Sequence, residues 1–552
     1  MLTRAVPLVL IAIAAFVAGI LVAGGSPEVE AATRFADAWE DRDYDAMHAE
    51  LTPGAAAEYP VHEFTQLYEA AAITSTLQSV QLGEAEESGD TVEVGATAAT
   101  KAFGDVAETI SIPVADDAVA WEPHLVFPGL EPGEELDRRT RAPRRAAILA
   151  GGGTAIAEGP AAARASSLGT SAIDVAGEMG VPKGEQKAQV EAAGFPPGTL
   201  VGTSGLELAF DERLAGRPGG QLLATGDGGE RVLADTEPRP GEPVRTTIDP
   251  DLQESTVAAL GGLFGGVAVL DATNGEVRAL AGIAFSSPQP PGSVFKIITT
   301  TAALEEGLVT PDEQFPVETE AVVGGRAISN AGDAPCGGSF TQSFAESCNS
   351  VFAPLGAEVG GEKLLATAED FGFNSPPALY DADATAAVDP PDSTIPDPIG
   401  SELDVAVTAI GQGQVLASPL QMANVAQTIA AGGERSPTPL VTEKSLAPDA
   451  GTTKVTDEKT AQTVRDLMVA NVQSGTGEAA AIPEAQVAGK TGTAELGPDP
   501  ENPDTLQENA WFTAFAPADK PKLALAVMVV NASGSGGEVA APIAAEIFSA
   551  GL

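Results

Sequence analysis

Ser293 and Lys296 stand three positions apart, so on a helix both side chains fall on one side. A serine hydroxyl is a weak nucleophile until a base removes its proton, and a lysine kept neutral by desolvation and a second cation can be that base. Pro290-Pro291-Gly292 punctuates the chain just before Ser293, and Ile297 to Leu304 is helix-compatible. The serine is therefore expected at a helix N-terminus, where a backbone N–H can help stabilise an oxyanion. The three histidines, His48, His62 and His124, all lie in the first quarter of the chain. Catalysis in the remainder has no imidazole base and no histidine metal ligand, and must move protons with lysine, serine or a carboxylate.

Two further clusters complement that pair. Ser347-Cys348-Asn349 sets a hydroxyl and an amide two residues apart, able to relay a proton and to hold a substrate amide. Lys490-Thr491-Gly492-Thr493 lies in the strand-like stretch 486–494. Its lysine supplies the second cation, its threonine hydroxyls suit a carboxylate, and Gly492 lets a substrate backbone approach as an added strand. Each cluster alone is commonplace. Order and separation carry the weight: Ser347 follows Ser293 by 54 positions, and Lys490 follows Ser347 by 143.

The elements that must position these residues begin at Thr246. Thr247-Ile248-Asp249-Pro250 reads as an acid-capped helix start with proline in the first turn. Gly266 to Leu270 is an apolar strand, Asn274-Gly275 a tight turn, and Glu276 to Ala281 the returning strand. Trp511 to Phe515 and Leu523 to Val530 are two more strands, and Ala541 to Ser549 a closing helix. Strands at both ends with helices between predict one antiparallel sheet assembled from both ends of the segment. Asn374 to Ile399, rich in Pro and Asp, is expected as a long loop.

At 552 residues the chain exceeds a single core, and three or four domains are expected. Residues 26–128 read as a small α+β module: Phe35 and Trp39 share a helix face, Tyr44, Met47 and Leu51 continue a helical period, and Thr91–Thr97 and Thr109–Ile112 alternate as strands. Residues 129–245 are rich in Ala and Gly, with a three-proline stretch from Thr236 to Pro243. The acidic residues number 78 against 29 basic ones, a formal charge of -49, which argues against nucleic-acid partners. Ala5 to Gly25 carries no charge, with Arg4 before it and Glu28 and Glu30 after it. That stretch predicts a single membrane anchor over 1–25 with the bulk on the extracytoplasmic side. A cleaved signal peptide ending near Ala23-Gly24-Gly25 is the rival reading.

Ser-x-x-Lys, Ser-x-Asn and Lys-Thr-Gly in this order resemble the penicillin-binding proteins and serine β-lactamases. Pro291-Gly292 before the serine, Ile410-Gly411-Gln412-Gly413, Pro419 to Ala423, Ala488 to Glu495 and Ala510-Trp511-Phe512 extend the likeness. Gly202 to Glu207, Phe210-Asp211 and Leu214-Ala215-Gly216 resemble the pedestal, or dimerisation, domain of class B penicillin-binding proteins, and Arg145 to Ala157 a degraded version of its opening. The segment around Phe35 to Thr52 is similar, more distantly, to the nuclear-transport-factor-2-like extension of methicillin-resistance-type members. The resemblance implies an α+β multidomain chain: anchor 1–25, extension 26–128, pedestal 129–245 and transpeptidase domain 246–552, its antiparallel sheet flanked by helices.

The resemblance further implies D,D-transpeptidation of peptidoglycan stem peptides on nascent glycan, without a cofactor or metal, and covalent inhibition by β-lactams. Ser293 would be the nucleophile, Lys296 the acylation base, Ser347 the proton shuttle and Asn349 the ligand of the substrate amide. Lys490, Thr491, Gly492 and Thr493 would take the terminal carboxylate and backbone, and the N–H groups of Ser293 and Thr493 would form the oxyanion hole. A membrane glycan polymerase is the partner such proteins suggest. Three alternatives stay open: a D,D-carboxypeptidase or β-lactamase with water as acceptor, a β-lactam sensor, and an inactive scaffold. Cys336 and Cys348 are the only cysteines. With pliable Gly337-Gly338 between them they could form a disulfide that braces the Ser-x-Asn turn from behind, or remain two buried thiols.

Overall fold

The computed structural model describes residues 26–381, 390–498 and 506–552. The charge-free stretch expected as an anchor lies outside them, and among the described residues no helix is long and apolar enough to cross a membrane. The chain groups into two compact units that do not follow sequence order. One comprises residues up to Arg145 with Val181–Leu200 and Ala215–Gly241; the other takes Ala146–Gly180, Val201–Leu214 and Glu242–Leu552. The 129–245 segment is thus shared between them.

In the first unit, helices Pro27–Glu40, Tyr44–Ala49, Pro53–Glu58 and Val61–Ser75 precede an antiparallel sheet of Leu77–Ser88, Thr91–Thr100, Gly104–Ala115 and Ala118–Val119 in sequential order. Phe35 and Trp39 lie on the buried face of the first helix and pack with Phe64, Tyr68 and Trp121. The Trp121 Nε1–H donates to Tyr68 Oη at 3.0 Å, which satisfies a buried indole. The helical period expected to reach Leu51 stops at Ala49. Leu51 instead bridges Val119, because the Thr52 N–H bonds Val119 O and draws the backbone into extended form. A second sheet of this unit pairs Gly219–Gly226 with both Glu135–Arg141 and Gly229–Thr236.

The second unit is built on one five-stranded antiparallel sheet. Its strands are β1 (Gly265–Asp271), β2 (Val277–Gly282), β3 (Ala488–Pro498), β4 (Leu506–Ala516) and β5 (Leu523–Val529), in the order β2-β1-β5-β4-β3. The central strands are near-continuous apolar runs because both faces are covered. Val267, Val269, Phe512, Leu525 and Val527 point to a face covered by helices α1 (Pro250–Leu260) and α7 (Ala540–Gly551). Ala268, Leu270, Trp511, Ala526 and Met528 point to the other face, against helix α5 (Pro419–Ala430) and the rest of the main core. Helices α2 (Lys296–Glu305), α3 (Phe340–Ala345), α4 (Asn349–Val359) and α6 (Glu458–Ser474) complete that side. Asp249 caps α1 as its sequence predicts, accepting from the N–H groups of Asp251 and Leu252, with Pro250 in the first turn. In the same unit, buried Glu207 pairs with Arg164 at 2.7 Å.

Candidate active site

Ser293 sits in a single 3-10 turn, Gly292–Phe295, that runs directly into α2. Val294 and Phe295 are fully buried, which anchors the turn and leaves Ser293 partly exposed between them and the edge strand β3. The Trp511 Nε1–H donates to Pro290 O at 2.9 Å and ties the turn to β4. A Cβ on Gly492 would fall 2.8 Å from Pro291 O and 3.0 Å from the Val294 nitrogen, so the serine turn rests on bare β3 backbone. This contact brings the first and third motifs together.

Lys296, the first residue of α2, is wholly buried. Its Nζ donates to Ser347 O at 2.8 Å, Ser347 Oγ at 3.2 Å and Asn349 Oδ1 at 2.7 Å. Lys490, also wholly buried, points from β3 to the same hydroxyl: its Nζ lies 2.9 Å from Ser347 Oγ and 3.0 Å from Thr491 O. Ser347 therefore stands between two amines. Desolvation, and then the charge of Lys490, hold Lys296 well below the usual lysine range. Burial brings Lys490 down to about 7. Each nitrogen also lies over an aromatic ring, Lys296 over Phe352 at 5.2 Å and Lys490 over Phe344 at 5.6 Å, which softens the cost of burying charge there.

Ser347 has φ +66°, a left-handed conformation rare for a residue with a side chain. The turn is held by Ser347 N to Phe344 O at 3.1 Å and Cys348 N to Ser343 O at 2.9 Å. Cys348 is fully buried and joined to Cys336 by a disulfide, with the Cα atoms 5.4 Å apart. The cysteine side chain thus points away from Lys296, while its neighbours Ser347 and Asn349 both reach it. The Asn349 amide is fixed at its other end by Ser329 O, 2.9 Å from Nδ2. Thr491 and Thr493, two apart on β3, share a face, and the bare α-carbon of Gly492 between them is turned to the serine turn. Among the described residues no hydrogen bond reaches the Ser293 hydroxyl.

Residues 265–549 match the penicillin-binding protein transpeptidase domain, and residues 153–246 match the penicillin-binding protein dimerisation domain. The chain belongs to the class B penicillin-binding proteins. Among relatives of this penicillin-binding protein is peptidoglycan D,D-transpeptidase PbpA of Mycolicibacterium smegmatis, 34% identical over 417 residues, which cover 63% of this chain and 80% of that one. The PbpA of Mycobacterium tuberculosis is 36% identical over 290 residues, covering 49% of this chain and 56% of the relative. The solved ceftriaxone acyl-enzyme complex of penicillin-binding protein A from M. tuberculosis superposes with a TM-score of 0.60 at 28% identity, covering 74% of this chain and 99% of that one.

Sequence reasoning missed several residues that shape the site of this penicillin-binding protein. Phe344 and Phe352 lie beneath the two lysines, Ser329 pins Asn349, and Thr476 hydrogen-bonds the Thr491 hydroxyl. Only Thr476 carried a local signal, a lone hydroxyl in Gly475-Thr476-Gly477 after a long helical pattern. The aromatic residues read as core, and Ser329 acts through its backbone.

Proposed function

We infer that this chain cross-links peptidoglycan by acyl transfer from D-alanyl-D-alanine stem-peptide ends. The carrying observation is the convergence of Lys296, Lys490 and Ser347 beside the Ser293 turn, with both lysines buried and depressed. Neutral Lys296 gives up one of its three donated bonds and offers a lone pair. It takes the Ser293 proton as Oγ bonds to the carbonyl carbon of the penultimate D-alanine. The oxyanion so formed is met by the backbone N–H groups of Ser293 and Thr493. The C–N bond then breaks, Ser347 passes a proton to the departing D-alanine amine and regains one from Lys296, and an ester to Ser293 remains. An amine from a neighbouring stem attacks that ester, the C–Oγ bond breaks, and the proton the amine gives up passes to Ser293 Oγ. Asn349 has a second lone pair and a second N–H with which to meet the substrate amide. Lys490, Thr491 and Thr493 meet the terminal carboxylate, and Gly492 the substrate backbone.

β-Lactams enter the same route and stall as acyl-enzymes, as the relative from M. tuberculosis does with ceftriaxone. The motif geometry and the family membership support this reading over a sensor or an inactive scaffold. The charge-free stretch Ala5–Gly25 supports a membrane anchor, an extracytoplasmic site and a membrane-bound glycan polymerase as partner. The helices and antiparallel sheet over 27–119 support a nuclear-transport-factor-2-like extension. The test is labelling with a fluorescent penicillin. Wild type gives a long-lived covalent band and Ser293→Ala none, at unchanged Tm. A band in the variant would overturn the nucleophile, and rapid turnover of the wild-type label would favour water as acceptor.

A further inference from the structure

Behind the two β3 threonines runs a short chain of polar groups that sets which way their hydroxyl hydrogens point. Asn471 on α6 is fully buried. Its Nδ2 lies 2.7 Å from Ala345 O and 2.9 Å from Thr476 Oγ1. Turned over, the amide would press its own oxygen against the Ala345 carbonyl oxygen, so chemistry fixes the nitrogen on that side. Both Nδ2 hydrogens are then used, and Thr476 Oγ1 accepts one of them.

The Thr476 hydroxyl must place its single hydrogen elsewhere. Ala345 O is 3.4 Å away, longer than a normal O–H···O bond, and already accepts from Asn471 Nδ2 and from the Thr476 N–H at 3.1 Å. The other neighbour is Thr491 Oγ1, in direct hydrogen-bond contact with Thr476 Oγ1. Thr476 therefore donates and Thr491 accepts, which leaves the Thr491 hydrogen to point away from Thr476. Thr493 receives a donor in the same way, from the Gly536 N–H at 3.3 Å.

We propose that Thr476, set by Asn471, is a positioning residue that fixes Thr491 as a hydrogen-bond donor to the substrate carboxylate, with the Gly536 N–H doing the same for Thr493. The inference rests on the reading of these two threonines as carboxylate-binding. The strand then offers an incoming chain end two hydroxyl hydrogens, each on an oxygen with one lone pair already engaged. An anionic terminus takes a charge-assisted bond from each threonine, and an ester or amide terminus only a weaker neutral one.

The test compares acylation rate constants for benzylpenicillin and for its methyl ester, which lacks the anion. Thr476→Val should slow the acid about tenfold, the scale of a hydrogen bond to a charged group. It should slow the ester by a clearly smaller factor, and Thr476→Ser should restore the acid rate. Equal loss for both probes would mark Thr476 as merely structural, and no loss would show that it sets nothing; either overturns the proposal. Thr476→Ala is measured alongside should valine disturb folding. Thr491→Val separates the two levels. If it leaves the acid-to-ester ratio unchanged, the carboxylate reading fails and the inference with it. If it collapses the ratio while Thr476→Val does not, the positioning role alone fails.

Discussion

Gly411 packs its α-carbon against the carbonyl oxygen of Gly292, the residue before the nucleophile. The Gly292 N–H returns a bond to Gly411 O at 2.9 Å, and a Cβ on residue 411 would lie 1.9 Å from Gly292 O. Gly411 also has φ +74°, where an added side chain is strained in any case. Gly411→Ala must therefore push the serine turn off β3. Acylation by penicillin should fall at least about tenfold, since roughly an ångström of misplacement costs more than that in an oriented reaction. Tm should drop as well. A wild-type acylation rate in this variant would refute the geometry.

Replacing Lys490 should move the pH dependence of acylation in a defined direction. Lys296 acts as a base only when neutral, and both burial and the Lys490 charge depress it. Lys490→Gln removes the charge and leaves burial alone, so Lys296 holds its proton to higher pH. The rising limb of the acylation profile should shift alkaline relative to wild type. In wild type a falling limb should follow as Lys490 itself discharges, and the two limbs belong to the pair of amines rather than to either one. An unshifted rising limb in the variant would show that Lys490 does not tune Lys296.

Stability should carry the same signature. Lys490 titrates at about 7 in the folded chain and at the ordinary lysine value of 10.5 when unfolded. Between those values the unfolded chain holds a proton that the folded chain has lost, so stability rises with pH across that window and levels off below it. Lys490→Met abolishes this contribution. Thermal melts at pH 7 and 9.5 should show a smaller gain with pH in Lys490→Met than in wild type; equal gains would contradict the burial of this amine.

The Cys336–Cys348 bond closes a short loop behind the Ser347 turn. Converting both cysteines to alanine should cost roughly 3 kcal/mol of stability, read from the denaturant midpoint. Acylation should also slow, because Ser347 relies on that turn to hold its left-handed backbone. An unchanged acylation rate would show that the turn is held by Phe344 O and Ser343 O without the bond.

The catalytic motifs and the five strands were legible because each is local. Asp249-Pro250 announces its helix, Asn274-Gly275 its hairpin, and the apolar runs 266–270 and 523–530 their burial on both faces. The left-handed backbone at Ser347 was hidden, since it arises from tertiary contacts rather than from the residue's own preference. So was the polar chain from Asn471 through Thr476 to Thr491: a buried asparagine within a helix looks, in sequence, like any solvated one. The grouping of 146–180 and 201–214 with 242–552 was equally hidden, because composition does not report a chain that leaves a unit and returns. Strand pairings such as Val244 with Ile148 decide it.

The pairing of β1 with β5 also sets a timetable. β1 finds its central partner only about 250 residues later, a long closure that must precede the reward of the sheet. As the chain is made, Ser293 and Lys296 emerge well before Lys490. Until β5 arrives, β3 and β4, on which the nucleophile turn leans, have no strand that joins them to β1. The sheet that backs the site is therefore incomplete until β5 is in place. A chain stopped before Leu523 should bind no penicillin, although it would carry every catalytic residue.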